Sequence, residues 1–328
     1  MKRIVLFDPS YGTSNMGDFI INEAVMSEMA YLFDRSFLVR YSTHSPLRGD
    51  LQHLRPNRIS RNCRDAELKF IGGTNILKDN LFKLDPGWNV TLAGSKLYSG
   101  AVCIGAGRAI TRLGGRPNLY TRAVYRRALS SEYYHSARDE KTKLFLEDLG
   151  FKALNTGCPT TWSLTPEITA ATPRTKAANV VLTLTDYARD NSADSALLDI
   201  LLQNYESVSC WLQGSGDFEY LKSFDQFPRI KLIPPSLSAF ARELDREDTE
   251  YVGTRLHAGI FAMQRRTRSL IISVDNRAED MANSTGIPVL GRSGLGSLAE
   301  VLHAERATSL RIDFDSIAKW KSQFIDHV

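Results

Sequence analysis

Short apolar runs alternate with stretches of helical spacing along the whole of this chain, and that alternation sets the expected elements. Lys2–Phe7, with Ile4, Val5, Leu6 and Phe7 in succession, reads as a buried strand. It runs into Tyr11-Gly12-Thr13-Ser14-Asn15-Met16-Gly17-Asp18 and then an amphipathic helix from about Phe19 to Leu32. In the first half the pattern predicts strands near 3–7, 37–41, 67–71, 101–105, 133–137 and 153–156, and helices near 18–33, 118–130 and 139–149. Residues 42–64 are polar, hold Pro46, Pro56 and five Arg, and read as a long loop.

The second half repeats the alternation. Strands are expected at Asn179–Leu184, 207–212, 230–233, 251–253 and 269–274, with helices at 193–204, 236–245, just past Arg255, and 277–284. Such alternation predicts an α/β protein with parallel sheets. Thr165–Lys176 has two prolines and no apolar periodicity, which makes 165–176 the expected linker between Rossmann-like domains at 1–164 and 177–311. Ile312–Val328 has helical periodicity and is a candidate for packing back on the first domain.

Composition adds bounds. A chain of 328 residues fits two domains better than one core, and 43% hydrophobic with 24% charged residues is ordinary for a soluble protein. No apolar run approaches the ~20 residues of a membrane span, and the N-terminus enters a strand rather than a signal peptide, so a cytoplasmic protein is expected. Cys63, Cys103, Cys158 and Cys210 are scattered without a C-x-x-C pair, and no His/Asp/Glu spacing suits a metal, so neither disulfides nor a metal site are expected.

The net charge of +4 is unevenly spread. Between Pro86 and Ser131 there is no Asp or Glu, while Lys96, Arg108, Arg112, Arg116, Arg122, Arg126 and Arg127 all fall there. This stretch is either a solvated basic helix face or a surface for an anionic acceptor or membrane. Nucleic acid is not an expected partner, because no nucleic-acid-binding motif accompanies the basic residues.

The chemistry centres on Gly253-Thr254-Arg255-Leu256-His257-Ala258-Gly259, which puts Arg and His two residues apart where a helix should begin. A guanidinium holds a carboxylate or phosphate through parallel hydrogen bonds, and an imidazole moves a proton near neutral pH. The plainer alternative is a buried His at a strand–helix junction beside a surface Arg. Arg138-Asp139 ends a strand and opens a helix. Capping explains Asp139, whereas a cation at a helix N-terminus suggests that Arg138 faces an anion. Arg277 opens a later helix, with Glu279 or Asp280 as possible salt-bridge partners. Asp18 is either a helix-entry carboxylate or a group that orients an acceptor hydroxyl. Gly72-Gly73 permits close backbone approach. No Walker-type phosphate loop or dinucleotide fingerprint is present, and Gly214-Ser215-Gly216 reads as a turn.

Taken in order, Asn15-Met16-Gly17-Asp18, Gly72-Gly73, Ile104-Gly105-Ala106-Gly107, Ser136-Ala137-Arg138-Asp139 and Arg255-Leu256-His257 resemble the polysaccharide pyruvyl transferase family, over about residues 4 to 290. The resemblance implies transfer of pyruvate from phosphoenolpyruvate to sugar hydroxyls of a cell-surface polysaccharide or its lipid-linked precursor. It implies a GT-B-like scaffold, two Rossmann-like domains facing across a cleft, with the acceptor side on the first and the donor motif on the second. His257 would be the general acid/base, with Asp18 as a second catalytic candidate. Arg255, Leu256, Arg138 and Arg277 would bind the donor, and Asn15, Gly17, Gly72 and Gly73 would line the acceptor or its loops. No cofactor or metal is expected, and the basic 96–127 stretch would meet an anionic membrane. Thr74, where the family more often has a third glycine, and Arg277, where it usually has Lys, depart from the pattern. A GT-B glycosyltransferase using a sugar nucleotide, or an inactive glycan-binding protein, are the rival expectations.

Overall fold

The computed structural model describes residues 2–44, 57–83, 88–109 and 116–327. The chain forms two compact units: Met1–Thr13, Ile21–Trp162 and Asp313–Val328 make the first, and Ser14–Ile20 with Ser163–Ile312 the second.

The strands of the first unit are β1 (Lys2–Asp8), β2 (Ser36–Ser42), β3 (Leu68–Gly72), β4 (Asn75–Leu77), β5 (Val102–Ile104), β6 (Gly107–Arg108), β7 (His135–Ala137) and β8 (Ala153–Asn155). Four of them form a parallel sheet in the order β2-β1-β3-β5, while β4 pairs with β6 and β7 with β8. Ile4, Val5, Leu6 and Phe7 are all fully buried, which is why β1 reads as an unbroken apolar run: helices cover both faces of a parallel sheet. Asp313–Val328 belongs to this unit through the helix Phe314–Ser322, whose buried Trp320 donates from Nε1 to the Tyr134 carbonyl at 2.8 Å. Phe324 packs edge-on against Phe70, ring centroids 5.0 Å apart.

One expectation needs correction here. The polar segment 42–64 is not wholly loop: Arg58–Asp65 is a helix, capped by the Asn57 side chain and anchored by the buried Cys63, while 45–56 lie outside the described residues. A helix this rich in Arg sets only Ile59 and Cys63 against the core and so carries little periodic signal. In the basic 96–127 stretch the charges divide into paired and exposed groups. Arg108 pairs with Asp79 and Arg122 with Asp148, whereas Arg126 and Arg127 are exposed and Arg112 lies outside the described residues.

The second unit carries β9 (Asn179–Leu182), β10 (Ser207–Trp211), β11 (Lys231–Ile233), β12 (Thr249–Gly253), β13 (Ser269–Ser273) and β14 (Val289–Gly291) in one parallel sheet. Its order, β11-β10-β9-β12-β13-β14, is that of a Rossmann sheet, with the chain reversing direction across the sheet between β9 and β12. Ser14–Ile20 belongs here and not with the rest of the first domain: Ile20 is buried beside Leu164, Trp211 and Phe240, and the Met16 N–H donates to the Gln213 carbonyl at 2.8 Å. The segment expected as a linker instead contains the helix Pro166–Ala170, capped by Thr165 with Pro at its first position. At five residues this helix is too short to show a period. The pattern likewise missed the six-residue helices Asp217–Lys222 and Leu298–His303.

Candidate active site

In a sheet of this order, ligands sit outside the carboxyl ends of the strands, where the order reverses. That point lies between β9 and β12, and threonines knit it together. The Thr254 N–H donates to the Thr183 carbonyl at 2.9 Å, and the Thr185 and Thr254 hydroxyls lie 2.8 Å apart. Gly253 has no room for a side chain, since a Cβ there would stand 2.6 Å from the Thr183 nitrogen.

Arg255 follows directly and is 4% exposed. Its N–H donates to Thr183 Oγ1 at 3.2 Å, and its carbonyl accepts from the Tyr251 hydroxyl at 2.9 Å. The guanidinium donates from Nε to the Leu184 carbonyl at 3.2 Å, and from Nη2 to Asp186 Oδ1 at 2.9 Å and to Asp217 Oδ1. Asp217 is held in turn by the N–H groups of Gln213 (3.1 Å) and Gly214 (2.7 Å) on its other oxygen. Burial pushes the Asp217 carboxyl above its ordinary value, against the pull of Arg255 and the Gly214 amide. Both glycines of Gly214-Ser215-Gly216 lie hard against the charged cluster: a Cβ at 214 would stand 2.7 Å from Arg255 Nη2, and one at 216 would displace the Asp186 carboxylate. The sequence reading of a simple turn therefore missed their function. It also placed Arg255 as an open anion receptor, whereas two carboxylates already occupy its Nη2.

The second cation, Arg277, is the second residue of the helix Asn276–Thr285, which follows β13. Asp275 caps the helix Asn276–Thr285 through the Arg277 N–H and also holds the Arg277 guanidinium, Nε to Oδ2 at 3.0 Å. The partner is thus Asp275 rather than Glu279 or Asp280. Burial opposes both charges, yet their pairing prevails, lowering the Asp275 carboxyl and raising the Arg277 guanidinium. Tyr187, 59% exposed, joins the two cations. Its ring lies 4.9 Å from Arg255 Cζ and 5.7 Å from Arg277 Cζ, and its hydroxyl accepts from Arg277 Nη2 at 2.6 Å.

Leu256 and His257, both half-buried, are the first two residues of the helix Leu256–Gln264. The apolar run Ile260–Met263 fixes that helix, since all four residues are buried. Asn15 precedes the helix Met16–Glu28, its Oδ1 accepting from the Gly17 N–H and from Gln213 Nε2, both at 3.1 Å. Asp18, buried in the first turn, donates its N–H to the Asn15 carbonyl at 3.1 Å. Gly17 gives way to Gln213, whose Nε2 would stand 3.0 Å from a Cβ. Asn15 and Gly17 are thus engaged with the loop that carries Asp217.

The remaining expected residues belong to the first unit. Arg138 ends β7 and is mostly buried, donating from Nη2 to Asn75 Oδ1 at 2.6 Å, and it lies against Gly107, where a Cβ would stand 2.8 Å from its Cζ. Asp139 caps the helix Glu140–Asp148 by accepting from the Thr142 N–H at 2.7 Å. Gly72 and Gly73 end β3 for packing reasons: a Cβ at 72 would stand 3.0 Å from Pro9 Cδ, and one at 73 would overlap the Gly105 carbonyl. Among the described residues there is no group of three or more His, Cys, Asp or Glu side chains able to hold a metal ion. No described helix is long and apolar enough to cross a membrane.

The family model for polysaccharide pyruvyl transferase matches residues 15–276, a span that contains every motif above and stops one residue short of Arg277. The chain belongs to the polysaccharide pyruvyl transferase family. Comparison with curated proteins gives no match. Among solved structures, the chain is similar to the UDP-GlcNAc 2-epimerase of Neisseria meningitidis bound to UDP-GlcNAc, with TM-score 0.50 and 12% identity over 98% of this chain and 100% of that one. S. aureus MnaA, solved with UDP, follows at TM-score 0.48 and 11% identity over 100% and 98% of the two chains. The lipopolysaccharide outer core galactosyltransferase WaaB stands at 0.45 and 11%, over 99% and 96%. At 12% identity the likeness to the epimerase, the one of the three with a TM-score of 0.50, speaks for the fold alone, and the two parallel-sheet units are those of a GT-B-like scaffold. In this pyruvyl transferase family member, Asp186, Tyr187, Gln213 and Asp217 are the site residues that sequence reasoning missed. Only the placement of Asp186-Tyr187 just past a strand end could have signalled them.

Proposed function

We propose that this family member transfers pyruvate from phosphoenolpyruvate to two hydroxyls of a sugar, forming a cyclic ketal. The donor carries a phosphate and a carboxylate, and the observation that supports the reading is the convergence of Arg255 and Arg277 on Tyr187 at the strand ends of the second unit. Guanidinium groups match both anions and stabilise phosphate as it departs. Arg138, in the first unit, is the third cation assigned to the donor. His257 protonates the methylene carbon of the enol; C2 then takes the first hydroxyl, the C2–O bond to phosphate breaks, and the second hydroxyl closes the ring. One hydroxyl proton balances the proton delivered to carbon and the other leaves with phosphate. Asp18 and Asn15 serve the acceptor, and neither metal nor cofactor enters these steps.

The acceptor belongs to a cell-surface polysaccharide or its lipid-linked precursor, and the exposed Arg126 and Arg127 meet the anionic membrane that presents it. Phosphate release from phosphoenolpyruvate with a panel of sugar acceptors tests the transfer, with nucleoside diphosphates as thermal-shift controls for a sugar-nucleotide donor. His257→Ala should lose about 10²–10⁴-fold in rate. Transfer undiminished in that variant removes His257 from the mechanism. Arg126→Ser with Arg127→Ser should abolish binding to phosphatidylserine vesicles, and unchanged binding removes the membrane contact.

A further inference from the structure

The paired groups of the donor site comprise two cations, Arg255 and Arg277, and three carboxylates, Asp186, Asp217 and Asp275. In this second-unit cluster the carboxylates outnumber the cations by one, and the three are not held alike. Asp217 is 1% exposed and accepts from the Gln213 and Gly214 amides as well as from Arg255. Asp275 caps its helix through the Arg277 N–H at 2.9 Å. The Asp186 side chain is 27% exposed, and Arg255 Nη2, at 2.9 Å, is its one hydrogen-bond partner among the described residues. It stands on a three-residue turn, Asp186–Ala188, next to the exposed Tyr187. Its place at Arg255 also depends on a glycine, since a Cβ at 216 would occupy the position of its second oxygen.

We propose that Asp186 is a displaceable counterion that sets the affinity threshold of the donor site. This rests on the donor reading above. With the site empty, the Asp186 carboxylate neutralises Arg255; when donor arrives, its anionic group takes that position and Asp186 turns to solvent. Asp217 stays and keeps the guanidinium oriented. An internal competitor raises the Kd of every anion by the same factor, because each must first displace the Asp186 carboxylate. A monoanion such as pyruvate offers Arg255 no more than Asp186 already does and falls below useful affinity. A phosphorylated donor, with phosphate for one guanidinium and carboxylate for the other, remains above it. Asp186 thus sets the affinity threshold that every anion must clear, and only ligands as strongly held as a phosphorylated carboxylate clear it.

Isothermal titration of the full chain with phosphoenolpyruvate and with pyruvate tests this, using wild type, Asp186→Asn and Gly216→Ala. Gly216 has φ −90° and ψ −8°, which alanine adopts readily, so Gly216→Ala moves the carboxylate without removing its charge. Both variants should bind phosphoenolpyruvate about ten-fold more tightly than wild type, and pyruvate binding should become measurable. If wild type binds phosphoenolpyruvate and neither variant binds more tightly, the counterion role is overturned and the donor site stands. Tightening in Asp186→Asn alone overturns displacement, leaving the lost charge as its cause. If no form binds phosphoenolpyruvate, the donor reading itself fails, and this inference with it.

Discussion

Arg277 donates from Nη2 to the hydroxyl of Tyr187 at 2.6 Å, while the same tyrosine ring lies 4.9 Å from the guanidinium carbon of Arg255. One exposed aromatic side chain thus sets the spacing of two cations that come from different strand ends. Tyr187→Phe keeps the ring but removes its hydrogen bond to Arg277, which stays paired with Asp275; a hydrogen bond involving a charged group is worth about 1.5–3 kcal/mol when both partners are in place. At this exposed position the lower end is expected: roughly a ten-fold rise in KM for phosphoenolpyruvate, with little change in kcat or in thermal midpoint. An unchanged KM would separate Tyr187 from donor binding.

Arg255 is buried beside a buried carboxylate, so its removal tests stability before it tests binding. Breaking such a pair from one side costs about 3–5 kcal/mol, because the other charge is left without its partner. Arg255→Ala should lower the urea midpoint accordingly, and adding Asp217→Asn should recover part of the loss. A stable Arg255→Ala protein would mean that Asp217 is satisfied by the backbone amides of Gln213, Gly214 and Asp186.

Gly73 is a packing residue. A methyl group there meets the Gly105 carbonyl, which is backbone and cannot swing aside. Gly73→Ala should destabilise the chain by about 1–3 kcal/mol or more. Thr74→Gly restores the family's more frequent residue and touches none of these contacts, so it serves as the comparison. Equal midpoints for Gly73→Ala and wild type would refute the close approach.

His135 gives the fold a pH dependence. It is fully buried, its Nδ1 accepting from the Cys103 N–H at 3.1 Å and its Nε2 lying 2.8 Å from the Ser130 carbonyl. Burial lowers its pKa from 6.5 to about 4, so the folded chain holds it neutral where the unfolded chain would protonate it. The stability this contributes is complete above pH 6.5 and falls away as the pH drops towards 4, by up to about 3 kcal/mol. His135→Gln should flatten that part of the stability profile measured by denaturant titration. An unaltered slope would assign the acid sensitivity to other groups.

Local order along the chain determined the strands and most helices. Ile4–Phe7 and Ser269–Ser273 are buried on both faces, so burial left an unbroken apolar run that can be read without coordinates. The family motifs were legible for a related reason, since glycines and charges at strand ends follow immediately upon those runs. The elements that escaped, Arg58–Asp65, Pro166–Ala170 and Asp217–Lys222, are too short or too polar to repeat a period. What only the tertiary structure decided is the electrostatic state of the site. Arg255 meets Asp186 and Asp217 from 69 and 38 positions away, and nothing in the spacing of those residues marks them as partners. The sheet order brings the carboxyl ends of β9, β10 and β12 side by side, and only there does a guanidinium read from sequence as a free anion receptor become a neutralised and oriented one.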